Sequence, residues 1–202
     1  MHLLHIDSSI FGAASANRQL TGNLVHSIWL RFDDLEITYR DLVEEPLDHY
    51  RLGHRAVYKG GKPRSPGQRR DMRAGLSDLD EFLAADIVVI GAPTYNFSIP
   101  SQLKAWLDRI VVSGQTFESY GSHTEGLVAG KKVIIASTRG DFDTPGTPLH
   151  FLDAQESYLR GLFAFLGVTD IRFVRTRTGL EQPGEHSRER ARIEAEVDLA
   201  LA

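Results

Sequence analysis

Three short stretches hold residues whose types and spacing could do chemistry. The first is Asp7-Ser8-Ser9-Ile10-Phe11-Gly12-Ala13-Ala14-Ser15-Ala16-Asn17, a small, hydroxyl-rich run. Ser9, Ser15 and Asn17 offer side-chain donors, while Gly12 and the alanines leave room for close backbone approach. A helix starting there turns its free N–H groups and positive dipole end on the same spot, which suits a phosphate. The same residues also suit an ordinary strand-to-helix turn with a cap, and this loop alone does not separate the two. The second stretch runs from Ile87 through Gly91-Ala92-Pro93-Thr94-Tyr95-Asn96-Phe97 to Pro100, an apolar run entering a loop of Gly, Pro, Tyr and Asn. The third is Ser137-Thr138-Arg139-Gly140, which closes another apolar run.

Other chemistries find little support. The chain has no cysteine, hence no disulfide framework, thiolate zinc site or cysteine nucleophile. Its 8 histidines do not group at ligand spacing, so no metal site is expected. His49 and His54 fall in an irregular segment and read as surface residues. No catalytic pair of carboxylates is evident, and no side chain stands out as an indispensable acid or base. Gly126-Leu-Val-Ala-Gly130-Lys131 is one residue short of a P-loop, lacks the following Ser or Thr, and precedes a strand instead of following one. Thr21-Gly22-Asn23 has the look of a phosphate loop but lies inside a predicted helix. There is no GxGxxG fingerprint and no GxSxG elbow.

The bulk numbers narrow the class. With 202 residues and 42% hydrophobic content the chain suits one domain with a real core. A net charge of −4 makes no global electrostatic case for nucleic acid or membrane. Arg64, Arg69, Arg70 and Arg73 read as a solvated basic face, with attraction of an anionic reductant such as a nicotinamide nucleotide as the alternative. No apolar run reaches the roughly 18 residues of a membrane span. Residues 1 to 7 resemble a first strand and not a signal peptide, so the expected setting is the cytoplasm.

The elements that must position these loops follow from periodicity. Leu3 to Ile6, Ile87 to Ile90 and Val133 to Ala136 are uninterrupted apolar runs, as expected of strands covered on both faces. Leu35 to Tyr39 and Ile171 to Val174 alternate, as edge strands do. Helices are predicted over about 18–32, 66–84, 100–112 and 152–166, with a charged helix over 185–201 whose inner positions are Ile193 and Val197. Pro100 suits a first helical turn, and Ser15 or Asn17 suits the cap of the first helix. Residues 44 to 66 form an irregular excursion with one short helix near 52–58, and 113 to 130 read as a polar loop. Five strands alternating with helices give a parallel α/β sheet. The order 2-1-3-4-5 puts the alternating strands at the edges, with a ligand-binding switch point between strands one and three.

Taken together, Ser8-Ser9 with Ser15, Ala92-Pro93-Thr94-Tyr95-Asn96-Phe97 with Gln102-Leu103-Lys104, Gly126 to Lys132, and Thr138-Arg139-Gly140 resemble the FMN-dependent NADH azoreductases, also described as NADH:quinone oxidoreductases of the flavodoxin-like fold. The likeness runs in order over nearly the whole chain. It implies a single flavodoxin-like domain over 1–202 that holds FMN without a covalent bond. Ser9, Ser15, Ala16 and Asn17 match the family's phosphate loop. Thr94, Tyr95, Asn96 and Phe97 match its flavin-ring loop. Thr138, Arg139, Gly140 and Asp141 match the loop near the pyrimidine edge. Thr94 departs from the bulkier apolar residue frequent there, and Asp141 from a second glycine. Asp141 is expected to point away from the ring or to lower its potential.

The resemblance further implies NADH or NADPH as donor, ping-pong two-electron reduction of quinones and azo compounds, and nitroaromatics as a further acceptor class. It also implies a homodimer. The hydride chemistry belongs to the flavin, so no catalytic side chain is expected. Phe97 and Phe117 are the candidates for walling the acceptor pocket. The apolar stripe of the 100–112 helix could face either a second copy or the sheet. A flavodoxin-type electron carrier is the alternative function, although a carrier would be more strongly acidic.

Overall fold

The structure is a computed structural model; it describes residues 1–139 and 151–177, with residues 192, 194, 196–199 and 201 of the C-terminal segment. Parallel strands β1 (His2–Asp7), β2 (Glu36–Asp41), β3 (Ile87–Pro93), β6 (Lys132–Arg139) and β7 (Asp170–Arg177) make one five-stranded sheet. Strands β4 (Phe117–Tyr120) and β5 (His123–Gly126) pair with each other as an antiparallel hairpin. The helices are α1 (Ala16–Trp29), α2 (Leu52–Tyr58), α3 (Pro66–Ala84), α4 (Ser101–Ile110) and α5 (Phe151–Phe165).

The sheet order is β2-β1-β3-β6-β7. The expected 2-1-3-4-5 does not match it, because the β4–β5 hairpin adds two strands within residues 113 to 130, where a polar loop is expected. Glu118, Ser119, Gly121 and Ser122 break the apolar alternation that marks a strand. The expected edges are nevertheless edges: β2 is half-exposed along its length, whereas β3 is buried at every residue.

The sheet's period of two divides the core between its faces. Leu4, Ile6, Val88, Ile90, Val133 and Ile135 point to the face covered by α3, α4 and α5, against Phe82, Trp106 and Phe163. Leu3, Ile87, Val89, Ile134 and Val174 point the other way, against Leu20, Leu24 and Ile28 of α1 and against Val197. Of the two inner positions expected in the C-terminal helix, Val197 is thus buried and Ile193 lies outside the described residues. The stripe of α4 is settled as well. Leu103, Trp106, Leu107 and Ile110 are fully buried in the core.

The excursion between β2 and α3 is held by a buried ionic knot. Arg109 is fully buried and donates to Asp71 Oδ2 at 2.5 Å and to the Asp48 carbonyl at 3.0 Å. His54 donates from Nε2 to the same Asp71 oxygen at 2.8 Å, since its Nδ1 accepts from Arg51 N–H. His54 is 2% exposed, which corrects the surface role expected of it; His49 is exposed. Burial, then the nearby Arg109 charge, pushes the His54 imidazole below its ordinary range. Burial pushes the Asp71 carboxyl up, but the Arg109 hydrogen bond, the bond from Asp48 N–H and the charges of Arg109 and His54 together outweigh it and leave the group below the usual carboxylate range.

Candidate functional site

The three loops meet at the carboxyl ends of β1, β3 and β6. Strands β1 and β3 are neighbours whose following helices lie on opposite faces, which is the switch point where open parallel sheets bind ligands. The β1 loop makes a single 3₁₀ turn, Gly12–Ala14, and then enters α1. Ser15 is the N-cap of α1: its Oγ accepts from Arg18 N–H at 3.2 Å, so the hydroxyl proton remains available to a second acceptor. Ala16 and Asn17 hold the first two helical positions, where a peptide N–H has no partner within the helix.

Asn17 is tied down more than a free ligand would be. Its Nδ2 donates to the Ala136 carbonyl of β6 at 2.8 Å, and its Oδ1 is buried without a partner. Beneath it lies Gly91 of β3, where a Cβ would stand 2.5 Å from Asn17 Oδ1 and 3.0 Å from Asp7 Oδ1. Only glycine lets α1 approach β3 this closely. Asp7 is also buried and accepts from Thr21 Oγ1 at 2.8 Å and from the Tyr39 hydroxyl at 3.1 Å. Burial, then the charge of Asp7, pushes the Tyr39 phenol up to about 12, so Tyr39 stays a donor.

Arg18 braces the same loop from outside. It donates to the Ser9 carbonyl from Nε at 3.2 Å and from Nη2 at 2.9 Å, and it grips Asp41 at the end of β2 with two nitrogens. Hydrogen bonding to Asp41 holds the Arg18 guanidinium above its ordinary range. Its charge is therefore spent on Asp41. An anion at this loop would meet neutral donors and a helix N-terminus instead of a free cation. These braces, Asp7, Arg18, Tyr39 and Asp41, carry no signal along the sequence, since these side-chain partners lie 14 to 32 residues apart.

The β3 loop is a tight reversal. Tyr95 and Ser98 exchange backbone hydrogen bonds at 2.9 and 3.0 Å, with Asn96 at φ 46° and Phe97 at φ 68°. Two central residues of positive φ make a type I′ turn, in which glycine is usual at the second place. Asn tolerates the left-handed region, but Phe at φ 68° is strained, and such strain collects at ligand sites. The Tyr95 phenol reaches across to the first loop, 2.8 Å from Ser9 Oγ, and accepts from Ile10 N–H at 3.2 Å. Phe11 packs edge-on to Tyr95 at 5.9 Å, and Ile10, Phe11 and Phe97 stand exposed around it as an apolar rim.

Thr94, the departure noted above, has a partner that periodicity could not reveal. Its hydroxyl donates to Gln155 Oε1 of α5 at 2.8 Å, and Gln155 Nε2 donates to the Ala92 carbonyl at 3.0 Å. Thr94 N–H donates to the Thr138 carbonyl at 3.2 Å, joining the second and third loops. Thr138 is buried, and Arg139 ends β6. Gly140 and Asp141 lie outside the described residues. Phe97 and Phe117 are not brought together. Phe117 packs on Phe165 at 5.0 Å, ten residues along α5 from Gln155, about 15 Å of helix away.

The donor set fits a flavin mononucleotide. Ser15 O–H and the first-turn N–H groups of α1 face the place for its phosphate, and a strained turn with an apolar rim stands beside it for a flat ring. Among the described residues no cluster of metal-ligating side chains occurs.

Comparison with known proteins shows the family of the chain. Residues 1–199 match the family model described as the flavodoxin-like fold. An FMN-dependent NADH:quinone oxidoreductase of Bradyrhizobium is 51% identical over 176 residues, 87% of either chain. One of Sinorhizobium fredii is 47% identical over 99% of this chain and 96% of its own. Among solved structures, an azoreductase of Bacillus anthracis superposes with a TM-score of 0.80 at 21% identity, covering 99% of this chain and 98% of its own. An FMN-dependent NADH-azoreductase of the same species, in complex with FMN, gives 0.81 at 19% identity over 98% and 99%. At such identity these two structures bear on fold alone.

Proposed function

Because the chain belongs to the flavodoxin-like fold family and to the FMN-dependent NADH:quinone oxidoreductases within it, we propose that it is an FMN-dependent oxidoreductase that reduces quinones and azo compounds by two electrons at the expense of NADH. The observation that carries this is the joining of all three loops at one switch point. Tyr95 is bound to Ser9, and Thr94 to Thr138.

Ser9, Ser15, Ala16 and Asn17 hold the phosphate, with the α1 N-terminus supplying the positive potential that Arg18 does not. Thr94, Tyr95, Asn96 and Phe97 lie along the ring, and Thr138, Arg139, Gly140 and Asp141 close its pyrimidine edge. When bound, FMN supplies the two-electron chemistry between the nicotinamide and the acceptor. The protein fixes the ring's place and leaves the apolar rim open on one side. Donor and acceptor then use that side in turn, and ping-pong kinetics follow. The deciding experiment is steady-state kinetics with NADH and NADPH against a panel of quinones and azo dyes. Intersecting double-reciprocal lines, or a purified protein that stays colourless with added FMN, would exclude the proposal.

We take the domain to span 1–202 and the working form to be a cytoplasmic homodimer. For the dimer the support is a surface groove of about 610 Å³ between α4 and α5, lined in part by Tyr50, Val111, Tyr158, Leu162 and Phe165. Phe117 packs on Phe165, one of the residues that line this groove. Light scattering after size exclusion tests the dimer.

A further inference from the structure

The cations among the described residues divide into two sets. Arg18 pairs with Asp41, Arg31 with Asp198, Arg40 with Glu81, Arg51 with Asp48, Lys104 with Asp108, Lys132 and Arg172 with Asp170, Arg175 with Glu156, and Arg192 with Glu196. Arg109 is spent on Asp71, Lys131 on the Leu83 and Ala85 carbonyls, and Arg160 lies over the Phe173 ring. By contrast Arg55, Lys59, Lys62, Arg64, Arg69, Arg70 and Arg73 are all exposed, and none makes an ion pair with a described residue. Asp71 is the one acid between residues 49 and 77, and it is consumed by Arg109 and His54. A net charge of −4 therefore averages a strongly basic face with an acidic remainder.

That face is built, not loose. Gln68 accepts from Arg64 N–H at 2.7 Å, and a Cβ on Gly53 would stand 2.5 Å from its Nε2, so the start of α2 lies against the start of α3. The buried His54–Asp71–Arg109 knot anchors both helices from beneath. On α3, Arg73 lies one turn on from both Arg69 and Arg70, four residues after the one and three after the other. Leu52 stands beside Arg51 and Arg55 and is 81% exposed, the most exposed large apolar residue described.

We propose that residues 51–73 form a peripheral docking surface for an anionic lipid bilayer. Basic clusters next to an exposed apolar side chain bind such surfaces by two signals at once, attraction to the headgroups and burial of the apolar group at their boundary. A dinucleotide offers too few charges to engage cations spread over two helices and the turn between them, and Leu52 gives no advantage with nucleic acid. The acidic remainder of the surface is repelled by the same bilayer, so the protein lands on this face. The benefit to catalysis rests on the quinone reading above: lipophilic quinones dissolve in the bilayer, and docking brings the site to its acceptor. Docking here is peripheral, since no described helix is long and apolar enough to cross a membrane.

The test is co-sedimentation of the full chain with vesicles of phosphatidylcholine alone or mixed with phosphatidylglycerol. Binding should appear only with phosphatidylglycerol and be lost in high salt, as screening requires. The triple variant Arg69→Glu, Arg70→Glu, Arg73→Glu should lower the vesicle-bound fraction constant by roughly tenfold or more. A second variant outside the helices, Lys62→Gln with Arg64→Gln, should lower it less, and Leu52→Ser should lower it without changing its salt dependence. All should reduce a short-chain, water-soluble quinone as the parent does, with an unchanged KM for NADH. Equal vesicle binding by parent and triple variant would overturn the proposal. So would binding to pure phosphatidylcholine, or a raised KM for NADH with vesicle binding intact. If vesicles are bound but no quinone is reduced, the docking surface stands and the quinone reading falls.

Discussion

Thr94 and Gln155 lie 61 residues apart and share a hydrogen bond of 2.8 Å, with Gln155 passing a second bond of 3.0 Å to the Ala92 carbonyl. The side chain of Gln155 thus clasps the base of the strained turn from α5. A bulkier apolar residue at position 94 would leave Gln155 Oε1 unmatched in a buried place. Replacing either partner, Thr94→Val or Gln155→Leu, should cost about 1 kcal/mol of stability, and the double variant should cost less than the sum, because the bond is lost once. Urea titration reads this. Fluorescence titration of the apoprotein should show riboflavin and FMN affinities falling together in these variants, whereas Ser15→Ala should weaken FMN alone. Additive stabilities would show that Thr94 and Gln155 do not share this bond in solution.

Phe97 is held at φ 68° in the second central place of its turn, where glycine is relaxed. Phe97→Gly should raise stability by about 1 kcal/mol through relief of that strain. The same change removes the ring from the rim, so the KM for a quinone should rise. Thermal melts and acceptor kinetics on one preparation separate the two effects. A variant that melts lower than the parent would show that Phe97 is not strained in solution.

Arg109 is fully buried with Asp71 as its counter-charge. Asp71→Asn strands the guanidinium, and breaking a buried pair from one side costs roughly 3–5 kcal/mol. The double variant Asp71→Asn with Arg109→Met should recover a good part of this. Stability should also fall in acid: the His54 pKa is depressed on folding, so below its ordinary value the unfolded chain binds the proton that the folded chain refuses. Asp71 acts in the same direction at lower pH. Urea midpoints from pH 7 down to 5 that fall less in His54→Gln than in the parent would agree.

Asp78 titrates with the opposite sign. Burial pushes its carboxyl up to about 6, against the attraction of Arg40 at 3.6 Å. The folded chain then holds a proton that the unfolded chain has released, and the stability this group contributes is lost as pH rises through about 6. Asp78→Asn should therefore be more stable than the parent at pH 8, by about 1–2 kcal/mol, and close to it at pH 4.5. Arg40 keeps Glu81 and Glu45 in either case. An equal gain at both pH values would sink the assignment.

Gly91 is the floor of the loop proposed to hold the phosphate. Gly91→Ala sets a Cβ 2.5 Å from Asn17 Oδ1, and such overpacking costs about 1–3 kcal/mol. Because the displaced residue opens α1, FMN affinity should fall further than riboflavin affinity. An unchanged ratio of the two would mean that α1 does not carry the phosphate.

Much of the frame was legible in the chain. The apolar runs of β1, β3 and β6 and the alternation of β2 and β7 fixed which strands are central, because burial on one face or two writes a period into the sequence. The short helix α2 and the long helix α3 appeared where periodicity and Pro66 put them. The β4–β5 hairpin did not, since its polar residues bury too little to leave a period. What only the tertiary structure decided is which polar groups meet: Thr94 with Gln155, Tyr95 with Ser9, Asn17 over Gly91, and His54 with Asp71 and Arg109. A hydrogen bond needs a partner at about 3 Å and a direction, and neither has a signature along the chain. Net charge hid the basic face of α2 and α3 for the same reason. A sum over residues has no place in space, and only folding gathered the unpaired cations onto one side.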